Sequence, residues 1–175
     1  VNFAPKTKKL LAIGTAGLVV LAVAFVAGLT MLIRQAPAHL PTITAFANGK
    51  AVSVEPFLYC PVDAPLCESE GVTTVLPVSE HSVLQLSLPS EITSAPWIAA
   101  AVYAGEGSDI VETDTFYLPG EKLHLTVPPL DGDGRELLGV EIRLPSGIID
   151  SDTQQEEIIS HAIWSIATIE PVAAD

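Results

Sequence analysis

The chain has 175 residues, 49% of them hydrophobic, with 8 basic residues against 21 acidic ones and a formal net charge of −13. This balance excludes a nucleic-acid surface, which needs clustered Lys and Arg, and the length is enough for one adequate hydrophobic core. All 21 acidic residues follow Arg34, where only Lys50, Lys122, Arg135 and Arg143 are basic, a net of −17 over that part.

Lys6, Lys8 and Lys9 precede a run without charge that begins at Leu10 and ends at Ile33. As a helix rising 1.5 Å per residue it reaches roughly 36 Å, against about 30 Å of bilayer hydrocarbon. The pattern predicts a tail over 1–9, a transmembrane helix over 10–33 and a short linker over 34–41. The excess of lysine before the helix places the N-terminus in the cytoplasm and the rest of the chain outside the cell membrane. A signal peptide is the competing reading, because Ala36-Pro37-Ala38 imitates a cleavage site, but the apolar run is well beyond the length of a signal peptide's apolar h-region. Gly14, Gly17, Leu21, Ala24, Gly28 and Met31 follow steps of three and four and share one stripe of this helix. Small residues so spaced let a second helix backbone approach, although Gly and Ala are also common in membrane helices without specific packing. The partners expected are the lipid bilayer and other integral membrane protein subunits.

Beyond Pro37 and Pro41 a domain is expected over 42–175. Asn48-Gly49 between two apolar stretches predicts a tight hairpin. Cys60 and Cys67, with six residues between them, suit a structural disulfide in an oxidising compartment, whereas a redox-active pair would show a Cys-x-x-Cys spacing. Leu84, Leu86 and Leu88 alternate with polar neighbours, stretches 97–103 and 111–118 have strand composition, and 123–127 alternates until Pro128-Pro129. Leu138, Val140, Ile142 and Leu144 form another expected inward face. Residues 153–157 suit a helix start, but 161–169 alternates Ala162, Trp164 and Ile166 against His161, Ile163 and Ser165 and reads as a strand. Seven or more short strands predict a mainly β, immunoglobulin-like two-sheet sandwich with Trp97 and Trp164 in its core.

No constellation for catalysis stands out. His39, His81, His124 and His161 lack metal-ligand spacing, and there is no Gly-x-Ser-x-Gly elbow. Asp131-Gly132-Asp133-Gly134 resembles the start of a calcium loop, but Arg135, Leu137 and Leu138 stand where further ligands belong, so a surface turn is the expectation. No catalytic residue, cofactor or metal is assigned, and the chain is expected not to be an enzyme.

The stretch 42–55 (TITAFANGKAVSVE), Tyr59-Cys60, the run 84–88 followed by Pro89, Ala95-Pro96-Trp97 and the closing Ala162-Ile163-Trp164-Ser165 resemble an actinobacterial, corynebacterial-type family of single-pass extracytoplasmic proteins of unknown function. The resemblance covers most of the outer domain and brings no catalytic residues. Its setting implies an accessory subunit of a larger membrane complex, with the cytochrome bcc-aa3 respiratory supercomplex as one context. Mycolate lipid transport across the envelope is the alternative.

Overall fold

The computed structural model describes residues 5–35, 39–62, 64, 67, 71–149 and 156–170. The chain divides into two units, Val1–His39 and Leu40–Asp175. The first contains helix α1 (Pro5–Gln35), so the helix runs past the expected end at Ile33. The Ala36-Pro37-Ala38 stretch lies outside the described residues. Among the described residues, no helix is long and apolar enough to cross a membrane. The unbroken run with described side chains, 17–33, is apolar apart from Thr30, but rises only about 25 Å against the roughly 30 Å required. The expected transmembrane helix over 10–33 is therefore not found in the described part, since side chains 10–13 and 16 fall outside it.

The second unit is mainly β, as expected, and has two sheets. The smaller contains β1 (Ile43–Ala47), β2 (Lys50–Val54), β5 (Leu84–Ser87) and β8 (His124–Val127) in the antiparallel order β2-β1-β5-β8. The larger contains β3 (Leu58–Tyr59), β4 (Thr74–Val75), β6 (Trp97–Ala104), β7 (Ile110–Tyr117), β9 (Leu137–Ile149) and β10 (Glu156–Ala167). Its order is β3-β10-β9-β6-β7, and β4 joins the same β10 in parallel. An immunoglobulin domain orders its sheets A-B-E-D and C-F-G. Here β1 and β2 form an edge hairpin whose first strand turns inward to β5, so the likeness ends at two sheets.

The predicted turn forms. Ala47 pairs with Lys50, and Asn48 and Gly49 have φ of 51° and 76°, the two positive values that a two-residue type I′ hairpin demands. The Asn48 side chain is held by the Pro77 carbonyl and the Ser79 hydroxyl. Cys60 and Cys67 are bonded, as expected. They lie in the limb between β3 and β4, which run in opposite directions along β10. Gly71 closes this limb, because a Cβ there would lie 1.9 Å from the Phe57 carbonyl oxygen.

Leu84, Leu86 and Leu88 from one sheet and Ala162, Trp164 and Ile166 from the other meet in one apolar core. Both tryptophans are fully buried. Trp164 donates its Nε1–H to the Pro41 carbonyl at 2.8 Å, whereas Trp97 Nε1 has no partner among the described residues. One expected inward residue is displaced. Val102 pairs with Gly139 but Tyr103 pairs with Leu137, so the strand bulges at Leu138 and Leu137 takes the buried place. A bulge inserts one residue and reverses the alternation beyond it.

Two measurements check this packing. In urea titrations of the full chain in mild detergent, Leu137→Ala will cost about 2–4 kcal/mol and Leu138→Ala clearly less. Trp164→Phe will cost about 1–2 kcal/mol more than Trp97→Phe, because only Trp164 gives up a hydrogen bond.

Candidate functional site

Strand β7 carries two faces of different chemistry. Glu112, Asp114 and Phe116 alternate with Thr113, Thr115 and Tyr117. The second set pairs in register with Ala101, Ala99 and Trp97 of β6 and shares its side of the sheet with Tyr103, the partner of Val111. The smaller sheet ends at β8, only four residues long, and leaves this part of β7 uncovered. The result is an open groove of about 200 Å³ between the sheet margins, lined by Tyr103, Thr113, Thr115 and Tyr117 on one wall and Leu125 and Val127 on the other.

The groove has an apolar floor and a few polar tips. Tyr117 stacks on Trp97 with ring centroids 4.3 Å apart. Burial raises the Tyr117 phenol above its ordinary value, and the nearby Glu121 carboxylate adds to this. Tyr103 is raised likewise, by burial first and by Asp131 second. Both hydroxyls thus remain neutral hydrogen-bonding groups at physiological pH. The turn after β7 is set by Pro119 and Gly120, whose φ is 73°, and by the Glu121 carboxylate, which accepts the Leu118 N–H at 2.9 Å.

On the opposite face of β7 the acids share one cation. Arg143 Nη1 lies 2.7 Å from Glu112 and 3.8 Å from Asp114, and Nη2 lies 2.7 Å from Glu141. Three carboxylates surround one guanidinium, so negative charge is left over at the strand's margin.

Asp131 and Asp133 form a closed turn. Asp131 Oδ1 accepts the N–H groups of Asp133 and Arg135, both at 2.9 Å, and Oδ2 accepts Arg135 Nε at 2.6 Å. The Arg135 guanidinium also reaches Asp133. The arginine therefore occupies the place where a cation would sit. Partial burial would raise the Asp131 carboxyl, but these hydrogen bonds and the guanidinium together hold it below its ordinary value. Among the described residues, no three His, Cys, Asp or Glu side chains gather into a metal-binding group. His161 instead faces the Cys60 carbonyl, with Nδ1 at 3.0 Å.

The stripe of Gly14, Gly17, Leu21, Ala24, Gly28 and Met31 is exposed along α1, and a Cβ at any of its three glycines would meet nothing within 4 Å. The other described side chains of α1 are exposed as well, so exposure does not distinguish this stripe. The groove was not legible as a site from the sequence. Its signal is the alternation in 111–117, where one strand face bears Thr113, Thr115 and Tyr117 in place of aliphatic residues.

Residues 36–169 match the family described as Protein of unknown function (DUF2771). The chain belongs to this family. Among DUF2771 relatives, uncharacterized proteins of Mycobacterium bovis and of two Mycobacterium tuberculosis strains are each 33% identical over 152 residues, covering 86% of this chain and 91% of their own length. That span exceeds the 140 residues after Gln35, so the likeness runs back into α1. The actinobacterial setting expected from the sequence is thus found. Neither the DUF2771 description nor the relatives' names state an activity or a partner, and none supports the respiratory supercomplex link. No solved structure matches the chain.

The Asp131 turn gives a pH test. A carboxyl lowered by folding adds stability above its unfolded pKa of about 3.9, and that stability is lost as pH falls through the lower folded value. Urea midpoints measured from pH 7 down to pH 3 will fall less steeply in Asp131→Asn than in the unmodified chain. Millimolar calcium will leave the thermal midpoint of the unmodified chain unchanged.

Proposed function

We propose that this DUF2771 protein is a non-enzymatic, membrane-anchored accessory subunit whose β domain stands on the extracytoplasmic side and docks onto a larger membrane complex. The supporting observation is the surface of α1. Its large side chains from Leu18 to Ile33 are apolar and 42–72% exposed, a surface stable only in apolar surroundings. Thr30 fits such surroundings, because its hydroxyl donates back to the Val26 and Ala27 carbonyls at 2.9 Å. With Leu10 to Ile13 added, the uncharged run is long enough to span a bilayer, and the three lysines before it favour an inward N-terminus. The Cys60–Cys67 bond agrees with an oxidising exterior.

A lipid or mycolate carrier is the second reading. The groove between the sheet margins is the feature that favours it, but its roughly 200 Å³ is below the usual size of a small-molecule site, about 300–1,000 Å³. Two buried tryptophans fill the space between the sheets where an acyl chain would have to lie.

Protease added to intact spheroplasts will remove the β domain and leave an embedded stub; protection of the domain overturns the orientation. Purification in mild detergent will recover the chain with integral membrane subunits, the bcc-aa3 supercomplex being the first to examine. Gly17→Leu with Gly28→Leu will release those subunits if the small-residue stripe packs against a partner helix. Ala22→Leu with Ala27→Leu will retain them, since those positions lie on other sides of the helix.

A further inference from the structure

We propose that the free edge of β7 receives an extended, basic segment of a partner protein as an added strand, which seats its alternate side chains in the groove. This rests on the docking role proposed above and names the surface and the chemistry of the partner.

Every second residue of an edge strand turns its backbone N–H and C=O away from the sheet, and such groups accept another strand. Proteins usually blunt such edges. Among the described strands, β8 is four residues long and runs into Pro128, β2 begins with Lys50, and β3 and β4 are two residues each. β7 is eight residues long, contains no proline or lysine and, among the described strands, pairs only with β6. Most of its length is exposed, including Ile110 at 62% and Phe116 at 57%.

Charge selects the occupant. Glu112 and Asp114 project from one face of β7 beside Glu141, with Arg143 as their shared cation. A second copy pairing β7 to β7 would set acids against acids, which disfavours self-association. A strand with Lys or Arg at alternate positions would meet this acidic row. Its intervening side chains, if small or apolar, would enter the groove over Thr113, Thr115 and Tyr117. The Glu121 carboxylate near Tyr117 adds to this negative charge, whereas Asp131 near Tyr103 is already paired with Arg135.

The probe is a synthetic peptide of alternating Lys and Val, offered to the full chain in mild detergent and compared with an alternating Glu and Val peptide. A third peptide carries the Lys and Val sequence with N-methyl groups at alternate residues, which keeps the charge but removes backbone donors. Binding is read by fluorescence polarisation and by hydrogen exchange of β7 amides. The Lys and Val peptide will bind and slow exchange in β7, whereas the acidic peptide will show no saturable binding. N-methylation will weaken binding by about tenfold or more, and Asp114→Lys by about fivefold. Equal binding of the N-methylated peptide, or no added protection in β7, overturns strand addition. Loss of the embedded stub or of all co-purifying subunits would instead overturn the anchored accessory role, so the two failures are distinguishable.

Discussion

Trp164 joins three parts of the domain that are far apart in sequence. Its indole N–H holds Pro41 at the entry to the first strand, its ring meets Tyr59 edge-on with centroids 6.2 Å apart, and its backbone pairs with Ile142. Because side chains alternate across a strand, fixing Trp164 inward also fixes Ala162 and Ile166 inward. The opposite parity then falls to His161, Ile163 and Ser165. Ser165 meets Thr73 there, and His161 meets the Cys60 carbonyl. The position of the disulfide limb and the start of the small sheet both follow from the burial of this one ring.

The readings that held were those governed by short-range chemistry. Asn48-Gly49 specifies its turn through backbone conformation, and the triple leucine of β5 specifies its buried face by alternation alone. The readings that shifted depended on contacts that local pattern does not carry. Leu138 looked inward because 138, 140, 142 and 144 share a parity, but the bulge against Val102 and Tyr103 gives that place to Leu137. Strand number and turn spacing indicate a two-sheet sandwich but carry no strand order. Which strands become neighbours depends on long-range pairing, such as that of β10 with both β3 and β4.

The exposed strand edge was hidden for a related reason. Thr113, Thr115 and Tyr117 suit a pleated strand equally well at an edge or in the middle of a sheet. Only the shortness of β8 leaves them uncovered. The surrounding acids were visible as composition, but their sharing of Arg143 required β6, β7 and β9 to lie side by side. Net charge alone describes solubility; the register places that charge along the margin strand of the larger sheet.

Strand β10 is flanked on both sides, by β9 and by the β3 and β4 limb, although it follows all of them in the sequence. Until residues near Ala167 are available, β3 and β4 have no partner and Trp164 is absent from the core. Pairing across more than a hundred residues also raises contact order and slows folding. The large sheet consequently closes as one long-range event, in which β10 must find β9, β3 and β4 together rather than one neighbour at a time.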